Sequence, residues 1–225
     1  VEWGANVTGV SLSLIDELSE RTLLQSERRV PSDDWIELLV SRPSSQLVRN
    51  LRTRWALLSV GDIVLPTTIN EAEYDNSYVC SPYTGCVLYP QSEVKKIQGY
   101  CVRWAVLALV HAMSLPLRAA QINRVVCVNN WLLSTNLYAD FDMGCASDLL
   151  KLLKCNFPSH AIAFRSLNEV SNPALMERLV TEGFVFVPSR QVYIFDGKSG
   201  EYMRRPKIDA LTAMHRYRAV RSRTA

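Results

Sequence analysis

A chain of 225 residues with 48% apolar and 21% charged side chains has the balance of a folded globular protein, which excludes a disordered chain. The length allows one well-buried α/β domain with an extension, and two full domains would be a tight fit. The net charge of +3 is uneven: residues 203–225 hold seven Lys or Arg against one Asp, a local +6 that leaves −3 for the rest.

Taken in chain order, residues 11–25 and 44–54 read as helices, the second capped by Ser44 or Ser45. Residues 55–60 and 63–69 read as strands joined through Gly61-Asp62, which predicts a hairpin. Residues 71–89 are rich in Tyr, Asn and Ser with Pro82 and Gly85, and read as a loop with short extended pieces. A long helix is expected over 92–114, stopped by Pro116. Its apolar stretch 104–113 is about half of the ~20 residues that cross a bilayer, so it reads as a buried helix and no membrane partner is expected.

The rest alternates. Residues 124–128 form a strand, 146–153 a helix, 161–164 a strand and 173–182 a helix that opens with Pro173 and ends at Gly183. Two closing strands follow, 184–187 and 192–195. Short apolar strands alternating with helices predict an α/β layered fold with a mixed central sheet covered by helices. The expected organisation is an N-terminal helical region 1–54, a central domain 55–202 and a basic tail 203–225. That tail can meet nucleic acid, although its ordinary state is solvated and frayed. The first residues carry no secretion signature, so a cytoplasmic protein is expected.

Several chemistries lack their residues. Gly197-Lys198-Ser199 has Val192 where a P-loop needs glycine, and neither a dinucleotide fingerprint nor a hydrolase elbow is present. The six cysteines show no metal-ligand spacing, so no metal is expected, and they read as reduced thiols; Cys80 with Cys86 is the one pairing to check. His111 and His160 read as structural. Polar side chains instead gather after two strands. Asn129, Asn130 and Ser134 follow the first, and Arg165 and Asn168 follow the second. Such positions either line a ligand crevice at the strands' carboxyl ends or satisfy their own turns. Arg165 there either holds a carboxylate or phosphate or forms a surface ion pair.

The element order, together with Asn172, Gly183 and Phe184 in the segment NPALMERLVTEGF, resembles the GNAT superfamily of N-acetyltransferases. The segments NSYVCSPYT, VNNWLLSTNLY, FRSLN and VPSRQVYIFD look like a bacterial FemAB-like, tandem-GNAT group, of which this chain resembles the first half. The resemblance implies an acyltransferase that moves an acyl or aminoacyl group from a thioester or ester donor to an amine. It implies a crevice lined by Asn129, Asn130, Ser134, Arg165, Asn168 and Asn172, and as partner a second GNAT domain or another copy. It also implies an acyl-CoA donor, but the pyrophosphate loop is degenerate: Gly144 and Ala146 are kept, while Phe141 and Asp142 replace residues suited to phosphate. The family's proton-donating tyrosine falls at Leu179, which cannot transfer a proton, leaving Tyr83 and Tyr138 as substitute acids. The alternative is a catalytically silent or truncated module that binds a ligand or partner.

Overall fold

In the computed structural model the first element is a strand, β1 (Val10–Leu14). Its sequence VSLSL alternates apolar and polar residues with period two, and Val10 and Leu12 are buried. This overturns the helix expected over 11–25 for its first four residues; the remainder lies outside the described residues. The structure describes residues 10–14, 35, 36, 38, 42, 44–61, 63–133, 136, 138, 146–189, 192–194 and 218–220. Two compact units result, Val1–Ser166 and Leu167–Ala225.

In the first unit the helix expected over 44–54 shrinks to α1 (Ser44–Leu47). It gives way to β2 (Arg54–Val60) and β3 (Ile63–Asn70), paired from Arg54↔Ile69 to Val60↔Ile63. Gly61, at φ +58, takes the left-handed turn that a side chain would resist, so the hairpin forms where the glycine predicts it.

Between β3 and β4 (Val125–Val128) the chain makes a 54-residue excursion, from Glu71 to Arg124. The segment expected as a loop contains a π-helical turn (Thr84–Leu88) continuing into α2 (Tyr89–Glu93) and a 3-10 turn (Val94–Lys96). Buried amides tie it to the segments around it and to itself. Asn70 Nδ2 donates to the Cys80 carbonyl at 3.0 Å. Asn76 Oδ1 accepts from the Arg52 N–H at 2.9 Å, and Asn123 Oδ1 from the Tyr83 N–H at 2.9 Å. Burying those amides is tolerable because they are bonded.

The long helix begins later than expected. Gly99, at φ +97, breaks the chain, and α3 runs over Tyr100–Ala119 with Pro116 inside it. The helix ends in a Schellman turn: Gln121 sits at φ +51 and the Ile122 N–H donates to the Leu117 carbonyl at 3.1 Å. The expectation that it is buried fails. Of its 20 residues 14 are exposed and only Val110 is fully buried. Its inner face, with Val106, Val110 and Leu117, packs on Tyr83, Val87 and Ile122.

Strand β4 runs antiparallel to β3, and β5 (Ala161–Phe164) runs parallel to β4. The connection between the parallel pair contains α4 (Ala146–Asn156), as a parallel crossover requires. Leu149, Leu150, Leu152 and Leu153 are buried on α4, which also contacts β1. Each such leucine contributes about 1.5–3 kcal/mol. The sheet order is β1-β2-β3-β4-β5, mixed and five-stranded, which is the α/β layering expected.

The second unit holds α5 (Pro173–Thr181), closed by Gly183 at φ +87 with the Phe184 N–H on the Leu179 carbonyl at 2.9 Å. The closing hairpin 184–187 with 192–195 does not form. Instead β6 (Val192–Ile194) pairs with β7 (Arg218–Val220), a strand contributed by the basic tail.

Candidate functional site

The carboxyl ends of β4 and β5 gather four of the expected site residues: Asn129, Asn130, Arg165 and Tyr138. Asn130 is fully buried, and its backbone N–H donates to the Pro66 carbonyl at 2.7 Å. Its Nδ2 donates to Thr68 Oγ1 and to the Val79 carbonyl, both at 2.9 Å. Its Oδ1 accepts from the Leu132 N–H at 3.2 Å and from Arg165 Nη1 at 3.1 Å. Arg165 Nη1 also donates to the Val79 carbonyl. The Asn130 amide thus has partners on both ends, and Arg165 is directed at protein acceptors.

Asn129 accepts from Trp131 Nε1 at 2.6 Å. Tyr138 donates its hydroxyl to the Arg165 carbonyl at 2.7 Å, and burial pushes its pKa well above the ordinary phenol range. That proton is committed to a carbonyl. Tyr83 is buried elsewhere, among Val87 and Val110, and its hydroxyl accepts from Arg118 Nε at 2.9 Å.

Asn168 and Asn172 belong to the second unit. Asn168 Oδ1 accepts from the Val170 and Ser171 N–H groups at 3.1 and 2.8 Å, which closes its own turn. Asn172 is the residue before α5 and makes no side-chain cap. Ala146 opens α4 and is buried, while Ser134 and Gly144 lie outside the described residues. The position that resembles the family's tyrosine, Leu179, is buried on α5.

Two features escaped the sequence, the first of them at this end of the sheet. Three of the four described non-glycine residues at positive φ lie here: Asn129 at +55, Leu132 at +61 and Ser166 at +66. Such conformations cost about 1–3 kcal/mol each and gather at functional sites. In addition, the side chain of Asn136 is 3% exposed, and among the described residues neither its donor nor its acceptor is satisfied. A lone Asn in a polar run gives no hint of burial, so no sequence signal separates it from Asn129 or Ser134.

A second constellation lies at the opposite end of the sheet, where a cleft of about 390 Å³ is lined by Leu12, Arg54, Glu71, Arg124, Phe157 and His160, among others. Glu71 pairs with Arg54 at 2.9 Å and lies 3.6 Å from Arg124 Nε. His160 Nε2 is 3.3 Å from Glu71 Oε1, without the angle of a hydrogen bond. One carboxylate held by two guanidiniums accounts for this cluster as an ion-pair clamp joining β2, β3 and β4 at their ends.

Comparison of the chain with family models, with curated proteins and with solved structures finds no match in any of the three.

Proposed function

We propose that this chain is a GNAT-like acyltransferase module that transfers an acyl or aminoacyl group from an ester or thioester donor to an amine. The observation that carries the reading is the parallel β4–β5 pair, set in an otherwise antiparallel sheet, with the chain leaving both strands through left-handed turns. The hairpin and the two strands that follow it support the reading, while the closing strand pair that the resemblance implies is missing; open sheets take ligands at the carboxyl ends of parallel strands. This is a likeness of fold, and the reaction rests on the site.

In such a transfer the amine nitrogen attacks the donor carbonyl carbon, the carbon–oxygen or carbon–sulfur bond breaks, and the proton that the amine gives up ends on the departing alcohol or thiol. Holding the two reactants together supplies most of the rate, and a backbone N–H aimed at the carbonyl oxygen supplies part of the rest. Asn136 offers an amide suited to orient a donor or acceptor. A CoA pyrophosphate does not fit the described residues: the first turn of α4 presents Asp148 and no cation.

A second reading, a catalytically silent binding module, is favoured by Leu179 and by the closed Arg165–Asn130 pairing. Thermal shift against acetyl-CoA, longer acyl-CoAs and aminoacyl-tRNA, followed by a transfer assay, separates the two. The enzyme reading expects a rise of about 2–4 °C with at least one donor, and turnover with an amine. A rise without turnover selects the silent module. No rise with any donor, for a monomer, removes the enzyme reading for this chain alone.

A further inference from the structure

We propose that the outer face of α3 docks on an anionic lipid surface, with the helix lying in the plane of the headgroups. The exposed face is apolar but for His111: Trp104 is 59% exposed, Leu109 61% and Leu115 71%, joined by Val102 and Met113. A helix that is apolar on the side turned from its own protein asks for a cover. By length and composition α3 is able to cross a membrane. Its inner face is held on Tyr83, Val87 and Ile122, which keeps it lying on a surface instead of spanning one.

Charge selects the kind of surface. Lys95, Lys96, Arg103 and Arg118 lie on α3 or just before it, and α3 itself holds no Asp or Glu; Arg124 is held by Glu71 and does not count. Lys95, Lys96 and Arg103 cluster at the amino end of α3; Lys96 neutralises Glu93, the preceding carboxylate, at 2.7 Å. Arg118 is occupied inside the protein, stacked 4.9 Å from the Tyr74 ring and 5.0 Å from the Tyr83 ring. Exposed aromatics accompany the amino-terminal cations: Tyr100 beside Trp104, and Tyr78 beside Tyr89, each pair with centroids 6.2 Å apart. Cations with Tyr and Trp are the groups that sit at the headgroup level, above an apolar face.

A second copy of the chain is a poorer cover. A helix of 20 residues offers a strip about 30 Å by about 10 Å, roughly 300 Å², against about 800 Å² per partner in a stable protein interface. Two such faces also bring cations against cations.

The test is co-sedimentation of the full chain with vesicles of phosphatidylcholine alone, and of phosphatidylcholine with about one-third phosphatidylserine. Binding is expected to the mixed vesicles, to weaken in about 0.5 M salt, and to fall about tenfold or more in Leu109→Glu. Leu109 is exposed, and an unchanged circular dichroism spectrum checks that the variant folds. If it does not fold, quenching of Trp104 emission by lipids carrying a quencher, with Trp104→Phe as the subtraction, decides instead. Wild-type protein left in the supernatant with both vesicles overturns the proposal. So does Leu109→Glu binding as well as wild type, or an unquenched Trp104. A dimer in analytical ultracentrifugation that Leu109→Glu dissociates, with no vesicle binding, assigns the face to a protein contact instead.

Discussion

Arg165 and Asn130, 35 residues apart in the chain, are joined by a hydrogen bond of 3.1 Å from the guanidinium to the amide oxygen, and both donate to the carbonyl of Val79. One arginine thus ties the end of β5 to the end of β4 and to the excursion that follows β3. Asn130→Ala is expected to cost about 2–4 kcal/mol, because it takes the partner from Thr68 Oγ1, from the Leu132 N–H and from a guanidinium N–H, while the Val79 carbonyl keeps only Arg165. Arg165→Met should cost less, since Arg165 is only partly buried. The double variant is expected to lose about 1–2 kcal/mol less than the sum. Urea unfolding of the four proteins measures the cycle, and strict additivity would sink the coupling.

Alkaline pH should weaken the fold through two buried thiols. Burial, the largest cause in both, pushes Cys80 up to about 12 and Cys127 up to about 11 from the ordinary 9.0. Above pH 9 the unfolded chain releases these protons while the folded state keeps them. The linked stability is therefore complete below about pH 9 and is lost as pH rises toward 11 and then 12. The loss approaches about 1.4 kcal/mol per pH unit for each thiol. Urea midpoints taken from pH 8 upward should fall, and Cys127→Ala, whatever its cost at neutral pH, should make the fall shallower. In the same range Cys86, Cys101 and Cys155, which are free and exposed, should alkylate long before Cys80 and Cys127.

Local backbone chemistry was legible and long-range pairing was not. Gly61 announced the hairpin, and Pro173 with Gly183 bounded α5, because each glycine stands where φ must be positive. The same Schellman geometry ends α3, but there Gln121 occupies the left-handed position, so the sequence pointed to Pro116 instead. The strand β1 carried its signal in the alternation of VSLSL, which the helix reading overrode. In the candidate site, the type and position of Asn129, Asn130 and Arg165 were readable. Their mutual satisfaction was not, since it depends on Thr68 and Val79, which only the fold brings near. Nor does apolar composition reveal what covers a helix, which is why α3 read as buried.

The two helix ends give opposite expectations for the same atom group. Gln121→Gly should stabilise the protein by about 0.5–1 kcal/mol, because it removes a Cβ from a left-handed conformation and Gln121 is exposed. Gly183→Ala should destabilise by about 1–2 kcal/mol, although a Cβ there meets no atom within 4 Å. The penalty is in the backbone, so it should appear in full without any loss of packing. Thermal unfolding of both variants checks the pair, and a neutral Gly183→Ala would show that the turn relaxes.

Pro116 tests how α3 tolerates a residue that ought to end it. Proline removes the N–H that would bond the carbonyl of Ala112, and its ring crowds the preceding turn. Because this stretch of the helix is exposed, water can reach the freed carbonyl. Pro116→Ala restores the hydrogen bond and replaces the poorest helix former with the best. It is expected to raise stability by about 1–3 kcal/mol, with the lower end favoured by the position one turn from the helix terminus. Circular dichroism should show equal or slightly greater helix content. A loss of stability would mean that the proline shapes α3 in a way the inner contacts of Val110 and Leu117 require.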